Sequence, residues 1–144
     1  MHFKRTQILL PFLAGTALAQ DCYTAGQEWK DVGTKDVVYE AFKTACSKAN
    51  LAGVWNRETE SRLTYCQNVA SHSFVVELAH IDSPFGMLPT WYLSPGTCFD
   101  LLKGVYDKCT DRGGSRTLVA GNGDNNPWVQ AKVRVDPENK CCNC

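Results

Sequence analysis

The sequence predicts an α+β fold: an antiparallel β-sheet of four to five strands with helices packed on it, reinforced by disulfides. Three observations carry this. Ser73 to Ile81 and Trp128 to Val135 alternate apolar and polar side chains as half-buried strands do. The segments after Thr34 and Ser94 repeat apolar residues at helical spacing. A chain of 144 residues with 44% hydrophobic and 21% charged residues can bury a core of its own, so its eight cysteines reinforce that core rather than replace it. Strand connections that are short or pass through helices give an antiparallel sheet.

Residues 1–19 read as a secretory signal peptide. Lys4 and Arg5 form a basic start, Ile8 to Ala14 an apolar run too short to span a bilayer, and Ala17-Leu18-Ala19 a small-residue cleavage site. The mature chain, residues 20–144, is then one extracellular domain without repeats or low-complexity tracts. Removing Lys4 and Arg5 from the 15 basic side chains leaves 13 against 15 acidic ones, a net charge near −2. That balance excludes nucleic acid and membrane insertion as expected partners, and the export signal excludes intracellular signalling.

All eight cysteines follow the signal: Cys22, Cys46, Cys66, Cys98, Cys109, Cys141, Cys142 and Cys144. An even count in an exported chain reads as a framework of up to four bridges, with 105 connectivities open. Exported thiols are usually oxidised, so neither metal nor cofactor is expected despite the crowding at Cys141, Cys142 and Cys144. No Asn-x-Ser/Thr acceptor occurs for N-glycosylation.

In chain order, Thr34 is the expected N-cap of a helix over Asp36 to Ala49, with Val38, Ala41, Phe42, Ala45, Cys46 and Ala49 as its buried stripe. Val54 to Glu58 and Arg62 to Asn68 read as short strands. Ser73 to Ile81 follows, with Phe74, Val76, Leu78 and His80 on one face. A loop rich in aromatics, including Phe85, Trp91 and Tyr92, lies between Ser83-Pro84 and Ser94-Pro95. Ser94 as N-cap and Pro95 at the first helical position start a second helix through Phe99, Leu101, Leu102, Val105 and Tyr106. It stops before Gly113-Gly114, read as a left-handed helix terminus.

Cys98 and Cys109 return to the same helix face but stand roughly 16 Å apart along the axis, beyond the roughly 7 Å that a bridge spans between Cα atoms. Each must therefore fasten the helix to a different segment. Arg116 to Ala120 reads as a strand, and 121–127 as a polar turn. In the last strand Val129, Ala131, Val133 and Val135 face one way, and Trp128, Gln130, Lys132 and Arg134 the other. A turn at Asp136-Pro137-Glu138-Asn139 leads to the terminal cysteines.

Catalytic signals are weak, and no enzymatic activity is expected. His72 and His80 would stand about 26 Å apart on an extended strand, too far to flank one scissile bond. Glu58 and Glu60 read as a solvated acidic turn rather than a glycosidase pair. No nucleophile elbow, zinc-protease motif or phosphate-binding loop is present. What stands out is the aromatic and amide content of the loops. Flat rings cover the C–H face of a pyranose while Asp, Asn and Arg groups bind adjacent hydroxyls. The candidate carbohydrate-binding residues are Trp91, Tyr92, Asp124, Asn125, Asn126, Trp128 and Arg134.

A set of landmarks runs through the mature chain: Cys22-Tyr23-Thr24-Ala25-Gly26 followed by Trp29, then Cys66-Gln67-Asn68, then Cys98-Phe99-Asp100-Leu101-Leu102 through Cys109 to Gly113-Gly114. Trp128, Val133-Arg134-Val135-Asp136-Pro137-Glu138-Asn139 and Cys141 close it. In this order the chain resembles the Y-three-like glycan-binding family of secreted fungal proteins, named after a mushroom lectin. The resemblance implies an αβα sandwich on an antiparallel sheet, a homodimer formed through that sheet, and lectin activity toward glycans or glycoproteins. The Cys-Cys-Asn-Cys tail and the insertion over 120–127 depart from the pattern, so glycan specificity does not carry over. The alternatives are a secreted cysteine-rich effector or toxin acting on a host or competitor protein, and a small hydrolase or ribonuclease using His72 or His80 with a carboxylate.

Overall fold

The computed structural model describes residues 20–56, 62–81, 90–119 and 130–143. The expected signal peptide, Glu58, Glu60 and the insertion over 120–127 lie outside the described residues.

The chain is α+β. Its strands are β1 (Gln20–Cys22), β2 (Gly53–Asn56), β3 (Arg62–Val69), β4 (His72–Ile81), β5 (Thr90–Leu93), β6 (Gly114–Val119) and β7 (Gln130–Glu138). Its helices are α1 (Trp29–Val32), α2 (Lys35–Ala45) and α3 (Pro95–Lys108). Five strands form one antiparallel sheet in the order β1-β6-β7-β4-β3, and β2 pairs with β5 in a separate two-stranded sheet.

The alternation read from the sequence sorts the large sheet. Phe74, Val76 and Leu78 on β4 and Val133 and Val135 on β7 are buried beneath the helices. The three helices lie against this one face. No described helix is long and apolar enough to cross a membrane.

The core centres on aromatic rings. Phe42 of α2 meets Phe74 at 5.0 Å between centroids, Trp29 of α1 at 5.8 Å and Tyr106 of α3 at 6.1 Å. Edge-on pairs such as these set a positive ring edge against a negative face and add to the area they bury.

The helix ends show why the lengths come out as they do. Ser94 Oγ accepts the Thr97 N–H at 3.1 Å with Pro95 at the first helical position, as expected. Thr34 occupies the N-cap of α2 in extended conformation but makes no side-chain cap bond. α2 stops at Ala45 rather than Ala49, because the chain folds back. The Leu51 N–H then takes the Ala45 carbonyl at 3.0 Å, and the Asn50 side chain takes that of Thr44 at 2.9 Å.

Disulfides join Cys22 to Cys109, Cys46 to Cys98 and Cys66 to Cys142, and Cys141 is bonded as well. Cys98 and Cys109 thus fasten the two ends of α3 to different segments, as their spacing requires. Cys144 lies outside the described residues.

Gly113-Gly114 is not a left-handed terminus, since neither residue has positive φ. Both glycines are needed for close approach instead. A Cβ on Gly113 would stand 2.2 Å from the Val135 carbonyl oxygen, and one on Gly114 2.7 Å from Cys109 Sγ. The expected turn at Asp136-Pro137 is instead strand, with Pro137 paired to Phe74. β6 pairs with β7 only as far as Val135, so the proline sits where β7 has lost one neighbour and has no donor to supply there.

Asp107 ties α2 to α3. It accepts from the Tyr39 hydroxyl and from Lys103 at 2.6 Å, and pairs with Lys35 at 3.1 Å. The Lys103 hydrogen bond, followed by that of Tyr39, holds its carboxyl far below the usual carboxylate range. A carboxyl whose folded pKa lies below its unfolded value stabilises the fold above that unfolded value, about 4, and loses the contribution as pH falls further. Parent protein should therefore lose urea stability below about pH 4, and Asp107→Asn should show a shallower loss over the same window. Parallel pH curves for the two would contradict this.

Candidate functional site

The face of the large sheet turned away from the helices carries the site. One row of the register crosses all five strands as Thr64, Glu77, Arg134, Ser115 and Asp21. The next row runs Arg62, Ala79, Lys132 and Thr117. Period-two alternation puts these polar residues opposite the buried Val133, Val135, Val76 and Leu78.

Arg134 is the hub. Its guanidinium donates to Asp136 at 2.7 Å, lies 3.8 Å from Glu77, and sits 5.1 Å from the centre of the Tyr23 ring. Glu77 in turn accepts from Arg62. Tyr23 is brought over the sheet because it follows β1 directly, with its N–H on the Gly113 carbonyl at 2.9 Å and Cys22 bridged to Cys109. Burial raises the Tyr23 hydroxyl pKa against the opposing charge of Arg134, so at neutral pH the phenol keeps its proton and both donates and accepts. The hydrogen bond to Asp136 in turn raises that of Arg134, which remains a fixed cation.

Two cavities meet at this pair. One, of about 430 Å³, lies between the 23–27 segment and Arg134, Asp136 and Glu138. The other, of about 390 Å³, is floored by Ala79 and Ser115 and walled by Arg62, Glu77, Lys132 and Arg134. Tyr23 and Arg134 line both. The result is a groove with one aromatic wall and alternating cations and carboxylates, of a size suited to a small polar ligand.

Of the residues singled out from the sequence, Arg134 is in the groove. Tyr92 is exposed on β5 and lines neither cavity. Trp91 stands opposite Trp55 in the β2–β5 register. The side chain of Trp91, together with Asp124, Asn125, Asn126 and Trp128, lies outside the described residues. His72 is half-buried, with Nδ1 3.2 Å from Ser71 Oγ. Tyr23, Glu77, Lys132 and Asp136 were missed as site residues, although Lys132, Arg134 and Asp136 at alternate positions on a strand mark a polar sheet face.

Comparison with protein-family models, with curated proteins and with solved structures finds no match.

Proposed function

We propose that the protein is a secreted, non-enzymatic carbohydrate-binding protein whose sugar site is the groove around Tyr23 and Arg134. The observation that carries this is the Tyr23 ring held beside the Arg134 guanidinium and the Glu77 and Asp136 carboxylates at the meeting of two cavities. A ring face serves the apolar side of a pyranose, and carboxylate and guanidinium groups in register serve its hydroxyls. The disulfide framework supports export into an oxidising compartment.

The test is a glycan array probed with oxidised protein. Tyr23→Ala and Arg134→Ala should each weaken a positive signal by about tenfold or more, the worth of one charge-assisted bond or stacking contact. No signal on any array, or a signal indifferent to both substitutions, would remove this reading. Capture of a protein that survives its enzymatic deglycosylation would support the effector reading instead.

A further inference from the structure

Resting on that reading of the groove, we propose that its saccharide is acidic, a carboxylated sugar, and that Lys132 is the residue that selects the charge. The cavity of about 390 Å³ is walled by three cations, Arg62, Lys132 and Arg134, and by the carboxylates of Asp21 and Glu77, while Asp136 reaches Arg134 from the adjoining cavity, so the selection rests on how each cation is paired rather than on net charge.

The three cations are not equivalent. Arg62 is committed to Glu77, and Arg134 to Asp136. Lys132 makes no ion pair among the described residues and is exposed to the cavity. It shares its row with Arg62 across the small side chain of Ala79, which leaves a hollow between two positive groups on the strands either side of β4. Adjacent strands lie roughly 4.8 Å apart, so the hollow is about two strand spacings wide, room for a carboxylate to meet both cations.

Neutral sugars would leave that ammonium on water alone, whereas a carboxylate would gain a charge-assisted partner. Asp21 does not oppose this placement, because β1 is two strands beyond β7 in the sheet. There its carboxylate is positioned to accept from sugar hydroxyls.

Calorimetry with a galacturonate oligomer and its methyl ester, which differ in charge on one skeleton, tests the proposal. The acid should bind at least about tenfold more tightly than the ester, with the advantage shrinking in high salt. Lys132→Gln, at an exposed position, should abolish the preference, bringing acid and ester to the same affinity. Equal affinity for the two forms, or a preference that survives Lys132→Gln, overturns the charge selectivity while leaving the groove a sugar site. Binding of neither oligomer overturns the proposal, and a blank glycan array removes the groove reading with it.

Discussion

Replacing Cys46 and Cys98 together by alanine should lower the stability of the oxidised protein by about 4 kcal/mol, a fall of about 10 °C or more in Tm. The bridge joins residues 52 apart in sequence, and a loop of that length gains much of its effect by restricting the unfolded chain. It also joins the C-cap of α2 to the first turn of α3, at a point where both cysteines are about 1% exposed. Alanine at both positions leaves neither a free thiol nor a buried hydroxyl, so the measured loss belongs to the cross-link and the small cavity left by sulfur. With Cys22–Cys109 intact, the far end of α3 stays pinned and the variant should still fold. Thermal melts of oxidised parent and variant that coincide would contradict the prediction.

What could be read from the sequence was whatever depends on neighbours along the chain. Ser94 and Pro95 start α3 through contacts within one turn, and the period-two pattern of 73–81 and 130–135 sorts buried from polar faces without knowledge of the partner strands. The spacing of Cys98 and Cys109 excluded their mutual bond by helix geometry alone. Features set by remote pairing were hidden. β1 and β5 have three and four residues, too few for a periodic signal, and each exists because a distant strand, β6 or β2, supplies its hydrogen bonds. Gly113 looks like any helix-ending glycine until Val135 is placed against it. The groove was hidden for the same reason. Arg134 could be named from its chemistry, but Tyr23, Arg62 and Glu77 come from three other segments and meet it only through the strand order.

Phe42→Ala should cost about 3–5 kcal/mol, as truncation of a fully buried phenylalanine usually does. Phe42 is 0% exposed and touches rings from the sheet and from all three helices: Phe74 on β4, Trp29 on α1, Tyr39 on its own helix and Tyr106 on α3. Collapse to fill the void would have to move α2, yet Cys46–Cys98 and the Asp107 contacts hold that helix against α3. A site that cannot relax retains most of its cavity and so sits toward the upper end of the range. Phe99→Ala, at a partly buried ring against Tyr39, should cost much less, since surrounding water can take the vacated space. Urea denaturation with an unchanged m-value would report both losses as stability rather than as altered compactness. If Phe42→Ala shifted the midpoint no more than Phe99→Ala, the ring cluster would not be the centre of the core, and α2 would have to be held on the sheet chiefly by its bridge.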